Sequence, residues 1–388
     1  MKNNIGKKSL YILLGLTIAS GLSFYSKASA DPIKTKVNEF SNLLDISASP
    51  TEKTYGTYDT NYFNAFSDLG AWHGYYQPDK NNKNLLGGFA GPLVIAEEYP
   101  VNLSSSLDKL TLTNKNTGET YDLSESQAID FDYYPGRLEQ TYTLDDITIN
   151  LSLIFVSERT ALIETHIENI SDKELYLEAT WSGGVFDKVI DGENTISTGA
   201  QLENRGNDIQ VSFKPVRKTW NYFSTKNTHY TIHHDCKVQT TIKNGTYLAT
   251  ADSIHLKPGK AYTTHTTESY TFTSNELLKE QNKFEDYTKD AAHYFEANKK
   301  RWQTYLDKTF DKTSVKKYPE YQNAAVKTIE TLNTNWRSSA GAFKHEGVIP
   351  SISYKWFSGM WAWDSWKEDV AVADYNPKLA ENNIRALF

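Results

Sequence analysis

Residues 356–369 read WFSGMWAWDSWKED and place four tryptophans and one phenylalanine within eleven positions, with one carboxylate, Asp364, set against the last two indoles. A pyranose offers apolar C–H faces and a rim of hydroxyls. A pocket for it uses indole faces against the ring and a carboxylate for paired hydrogen bonds to neighbouring hydroxyls. Trp361, Trp363, Trp356 and Phe357 are the aromatic candidates, and Asp364 is the polar one. Near a helix N-terminus, partial positive charge favours the ionised aspartate. The same residues admit a second reading, in which Asp364 only caps a helix while Trp361, Trp363 and Trp366 fill a core. Glu368 follows Asp364 by four positions, so the two share a helix face with Cβ atoms about 5–6 Å apart. For Lys367, Glu368 and Asp369 we expect a solvated helix face rather than a catalytic pair.

The elements that must hold this cluster are of two kinds. From about residue 50 to 272 short runs alternate at period two, most clearly in RTALIETHIENIS, where Ala161, Ile163, Thr165 and Ile167 oppose Leu162, Glu164, His166 and Glu168. Turn clusters such as NKNTGET, NRGND, KNGT and KPGK separate these runs. Many short strands without intervening helices predict a large antiparallel β-sandwich. At Thr273 the period changes. TSNE forms a capping box, with Thr273 as N-cap and Glu276 at N3, and opens a long helical stretch whose apolar face carries Leu277, Phe284, Tyr287, Trp302 and Leu306. A second helix is expected from Pro319 to Arg337, a third from near Asp364, and a fourth from Asn376-Pro377, an N-cap followed by an N1 proline. The apolar stripe of the fourth is still running at Phe388, so the chain reads as the front of a larger helical domain.

The whole chain narrows the function further. Lys2, Lys7 and Lys8 precede an apolar run from Leu10 to about Phe24, and Ala28-Ser29-Ala30 supplies the small residues of a cleavage site. This is the pattern of an export signal over residues 1–30, too short for a stable membrane anchor. A periplasmic or extracellular protein is therefore expected. The net charge of −7 argues against a nucleic-acid partner. A lone cysteine, Cys236, leaves packing rather than disulfides to hold the fold.

SGMWAWDSWK after IPSISYKWF resembles the bacterial members of glycoside hydrolase family 63, as do GAWHGYYQPD with GGFAGPLVIAEEYP upstream and NPKLAENNIRALF downstream. The resemblance covers nearly all of the chain after the signal. It implies an N-terminal super-β-sandwich (residues 31–272), a helical linker (273–317) and the start of an incomplete (α/α)6 catalytic toroid (318–388). It further implies inverting hydrolysis of α-glucosidic bonds in small saccharides, with Asp364 and Trp361 in the subsite for the non-reducing glucose. The family's general acid and general base lie in later barrel helices, beyond Phe388, so no catalytic residue is assigned in this sequence. Calcium in the barrel is a family property for which no ligand set stands here, and no cofactor is expected. Two alternatives stay open: a non-catalytic carbohydrate-binding protein or inactive remnant, and an enzyme for trehalose or mannosylglycerate-type glycosides.

Weaker signals remain. HYTIHHDC offers His229, His233, His234, Asp235 and Cys236, but on a strand His229 and His233 stand about 13 Å apart, too far to share one ion. No metal site is expected. Trp72, His73 and Tyr75 in GAWHGYY either line a sugar cleft or pack in the sandwich. Asn102, Asn150, Asn169 and Asn244 head N-x-S/T sequons.

Overall fold

The period-two alternation of Thr160–Asn169 becomes a ten-residue strand at the centre of an eight-stranded antiparallel sheet. The computed structural model describes residues 37–53, 64–96, 99–213, 226–341 and 343–388, and the export signal lies outside these. Across the large sheet the strands run Gln201–Arg205, Asp208–Ser212, His229–His234, Ala261–Thr271, Thr160–Asn169, Ile147–Phe155, Arg137–Thr143 and Ala128–Tyr134. A second antiparallel sheet orders Val238–Lys243, Thr246–Ala251, Leu175–Gly184, Lys109–Asn114 and Glu119–Thr120, with Ile254–Leu256 on the edge of Leu175–Gly184. A four-stranded sheet adds Ser47–Ala48, His73–Pro78, Ala90–Ala96 and Tyr99–Asn102.

Facing residues of these sheets form one core. Ile149, Leu153, Ala161, Ile167, Leu177, Ala179 and Ile232 are all fully buried in it. Side chains alternate across a strand, so the opposite face of the large sheet needs its own cover. Helices supply it. Ile154 and Leu162 point outward from the core and bury against Ala291, Tyr294 and Phe295.

Those three residues belong to the helical stretch that Thr273 opens. Helix α1, Ser274–Lys289, carries the complete capping box: Thr273 Oγ1 accepts from the Glu276 N–H at 3.2 Å, and Glu276 Oε2 accepts from the Thr273 N–H at 3.1 Å. The expected single stretch is in fact two helices, with α2 at Ala291–Phe310 and a break at Asp290. The two halves serve different partners. Phe284 of α1 stacks on His233 of the sheet, while Trp302, Leu306 and Phe310 of α2 enter a separate helical core. One straight helix would not reach both.

Beyond a short α3, Thr313–Lys317, comes α4, Gln322–Thr334, preceded by a 3-10 turn at Pro319–Tyr321. The helix expected to reach Arg337 stops early, because Trp336 and Arg337 form a two-residue strand with Gly347–Val348. The Arg337 side chain is buried, donating to Thr334 O and Ser67 Oγ. Helices α5, Ala362–Tyr375, and α6, Pro377–Arg385, close the described chain. Asn376 caps α6 through Leu379 N at 3.3 Å, as its sequence signal requires. Helix α6 ends at Arg385, with Ala386 at its C-cap. Val326, Ile329, Leu332, Val372, Tyr375 and Leu379 share one core with α2, so most of the apolar faces find each other. No described helix is long and apolar enough to cross a membrane.

Arg159 ties sandwich, linker and helical part together. Its guanidinium holds Glu276 Oε1 at 2.8 Å, Ser338 Oγ at 2.6 Å and Ser339 O at 3.1 Å.

The centre of the sandwich holds a buried acid. Tyr75 and Tyr230 both donate to Glu268 Oε2, and burial, then the neighbouring Asp108, push Glu268 up to about 7. Burial likewise raises Glu330 to about 8 and Glu368 to about 7. A carboxyl whose folded pKa is raised contributes stability that is complete below its unfolded value, near 4.5, and is lost as pH rises through the folded value. The melting temperature is therefore expected to fall between about pH 4.5 and 8, and Glu268→Gln to flatten the part of that fall between about 4.5 and 7. Thermal scans across this range check it; equal slopes in wild type and variant would contradict the assignment.

Candidate functional site

The aromatic cluster sits where a loop enters a helix. The loop is folded on itself: Ser351 N–H donates to Phe357 O at 3.2 Å, Phe357 N–H to Tyr354 O at 3.1 Å, and Ser351 Oγ accepts from Tyr354 N at 3.1 Å. Trp356 takes a left-handed backbone conformation, with φ of +75°, that side chains other than glycine and asparagine rarely adopt. Its carbonyl accepts from Trp361 Nε1 at 3.2 Å, and Lys355 Nζ, paired with Asp191, lies 4.9 Å over its ring. A strained tryptophan is thus held at both ends.

The rings form a continuous row. Tyr354 meets Phe357 edge-on at 5.3 Å, Phe357 stacks on Trp361 at 5.4 Å with 19° between planes, and Trp361 meets Trp363 at 5.5 Å. Trp361 occupies the N-cap position of α5 and offers no side-chain cap. Among the described residues nothing covers the whole motif: Trp363 is 56% and Trp366 57% accessible, with Trp356 at 41%.

Asp364 lies in the first turn of α5, half-buried, three residues after Trp361. Among the described residues no hydrogen-bond donor reaches its carboxylate, whereas burial raises the pKa of both neighbouring acids. Burial raises Glu368, and the charges of Asp364 and Asp369 add to this; Glu368 Oε2 is buried with no hydrogen-bond partner among the described residues. Burial also raises Asp369, and Asn383 Nδ2 opposes the shift by donating to Asp369 Oδ1 at 2.7 Å. The solvated face expected at Lys367–Asp369 is therefore exposed at Lys367 only.

Asn383 holds the corner from behind. It is fully buried, donates to Ser365 O at 3.2 Å as well as to Asp369, and accepts from Val348 N at 2.9 Å. Gly347 passes so close that an added Cβ would lie 2.5 Å from Asn383 Oδ1. Neither residue carries a sequence signal for this role, which exists only once α6 lies beside α5. Tyr354 could have been found, since it extends the aromatic run by two positions.

The other candidates go elsewhere. Trp72, His73 and Tyr75 are buried, so their alternative as cleft residues is corrected: Trp72 Nε1 donates to Ser338 O, Tyr75 bonds Glu268, and His73 sits among the rings of Tyr75, Phe155, Tyr230 and Tyr270. Alternation along the strand sends the HYTIHHDC imidazoles to separate partners, His233 to Asp208, His234 to Asp108 and His229 to Asn227 O. Among the described residues no three His, Cys, Asp or Glu side chains are placed to hold a metal ion. Of the four sequon asparagines, Asn102 and Asn169 are buried and donate to backbone carbonyls, whereas Asn244 lies exposed in a turn.

Residues 46–303 match the family model described as glucosidase YgjK, N-terminal. The chain belongs to this family. The match runs through the sandwich and α1 into α2, ending before the aromatic corner, and bears out the resemblance to a family-63-related N-terminal domain. Among solved structures, the YgjK-type chain is similar to a protein named as a kojibiose phosphorylase from the human microbiome, at 13% identity and a TM-score of 0.48, over 85% of this chain and 43% of that one. It is also similar to a polysaccharide lyase, at 11% identity and a TM-score of 0.35, over 49% of this chain and 31% of that one. A third likeness is to an aldose 1-epimerase from Escherichia coli K12, at 6% identity and a TM-score of 0.34, over 54% of this chain and 99% of that one. The chain thus spans less than half the length of the first two. The family assignment rests on the match to the N-terminal domain alone.

Proposed function

We propose that the protein is an exported glycoside hydrolase of the family 63 type, acting by inversion on α-glucosidic bonds of small saccharides, and that the corner around Asp364 holds the non-reducing glucose. One observation carries the reading: a half-buried carboxylate that no described donor reaches stands beside a row of stacked rings, with Trp363 open to solvent. Indole faces take the C–H face of the sugar, and Asp364 accepts from two adjacent hydroxyls.

Inversion needs a carboxylic acid and a carboxylate about 6.5–9.5 Å apart on opposite sides of the bond. Asp364 and Glu368 share one helix face and approach a sugar from one side, so they do not meet that requirement. The family match is to an N-terminal domain, which supports an acid and base supplied from barrel helices beyond the residues described. Export rests on the basic, apolar and small-residue pattern of residues 1–30.

Titration calorimetry with glucose and maltose tests the corner. Trp361→Ala is expected to weaken binding about tenfold, the loss of a stacking contact worth about 1.4 kcal/mol. Unchanged affinity in a folded variant would remove the corner from consideration.

A further inference from the structure

A cleft of about 800 Å³ opens away from the aromatic corner, where α1, α2, the turn at Val156–Glu158 and the segment at residues 336–346 meet. None of Trp356, Phe357, Trp361, Trp363 or Asp364 lines it. Its size falls within the range of small-molecule sites, roughly 300–1,000 Å³.

The walls combine rings with fixed polar groups. Tyr294 and Trp336 are half-buried, and Tyr287 meets Tyr294 edge-on at 5.2 Å. Glu346 is held in place: Oε2 accepts from Trp336 Nε1 at 3.1 Å and Oε1 from Asn382 Nδ2 at 2.6 Å. Behind the wall lies a second feature. Glu280 is 1% exposed, and its Oε2 is saturated by Ser157, Thr160 and Tyr287. Its Oε1 has no hydrogen-bond partner among the described residues and lies 3.9 Å from Nζ of Lys283, a residue of the cleft lining.

Charge decides the ligand class. Lys283 and Lys344 face Glu158, Asp286 and Glu346 across the same space, so an anion meets carboxylates and a cation meets ammonium groups. A neutral molecule with many hydroxyls satisfies both, since each hydroxyl donates and accepts. Its C–H faces suit the rings of Tyr294 and Trp336. We propose that this cleft is a second saccharide-binding site, for a neutral oligosaccharide, distinct from the Asp364 corner.

The site is read by calorimetric titration of the full chain with maltotriose, isomaltotriose and nigerose, with inorganic phosphate as an anionic control. Two saturable sites are expected for at least one of the three sugars. Tyr294→Ala and the exposed Asp286→Ala should each weaken one site at least tenfold and spare the other, while Trp361→Ala should do the reverse. Asp286→Ala guards against misfolding, because its side chain is exposed. A single site lost with Trp361→Ala, retention of two sites in both cleft variants, no sugar binding that Tyr294→Ala weakens, or displacement of sugar by phosphate from the cleft overturns the proposal. Loss of the Trp361-dependent site alone would sink the corner and leave the cleft standing.

Discussion

Asp68→Ala lowers the unfolding free energy by about 3–5 kcal/mol, the cost of leaving one partner of a buried ion pair uncompensated. Asp68 is fully buried at the start of the sandwich sequence and grips α2 with both oxygens. Arg301 donates in bidentate fashion, with Nη1 to Oδ1 at 3.1 Å, and Trp302 Nε1 donates to Oδ2 at 2.8 Å. Removing the carboxylate strands a guanidinium and an indole N–H together. Arg301 keeps the uncharged Asn298 Oδ1, at 2.7 Å, and the Tyr305 side chain, with no carboxylate to balance its charge. Trp302 also packs on Gly136, where an added Cβ would come within 2.1 Å of the indole, so the ring has no room to turn away. Asp68→Asn retains one acceptor and should lose less. Urea unfolding of the three proteins measures the difference; a loss below about 1 kcal/mol for the alanine variant would show that the pair only balances its own desolvation.

Asp364→Ala, by contrast, leaves stability almost unchanged and removes saccharide binding at the corner. Two hydrogen bonds to a charged acceptor are worth about 1.5–3 kcal/mol each, so affinity should fall at least 100-fold. No described residue donates to this carboxylate, and its deletion therefore orphans nothing in the fold. The Asp364 charge helps to hold Glu368 at about 7, so the Glu368 pKa should move down in the variant. Calorimetry with maltose reads the first effect and carbon-detected NMR titration the second. Wild-type affinity in Asp364→Ala would refute the sugar-binding role. An unmoved Glu368 would show that the two carboxyls do not sense each other.

These two residues mark the limit of what a linear reading reaches. Asp364 is legible because its neighbours in the chain are its neighbours in space: Phe357, Trp361 and Trp363 stack within a single loop and helix turn. Asp68 is silent, because its meaning depends on Arg301 and Trp302, which lie more than 230 positions away. Glu280, Asn383 and Arg159 are silent for the same reason.

Local physics therefore determined the strands, the Thr273 capping box, the Asn376 cap and the ring-and-carboxylate cluster, since each is an interaction between residues a few positions apart. Tertiary packing decided the rest. It broke the linker helix at Asp290, drew Trp336 and Arg337 into a strand, and buried Trp72, His73 and Tyr75. It also gathered α1, α2 and the segment at residues 336–346 around a cleft. Each of those outcomes is set by which surface must be covered by a distant one, a condition satisfied in three dimensions and not along the chain.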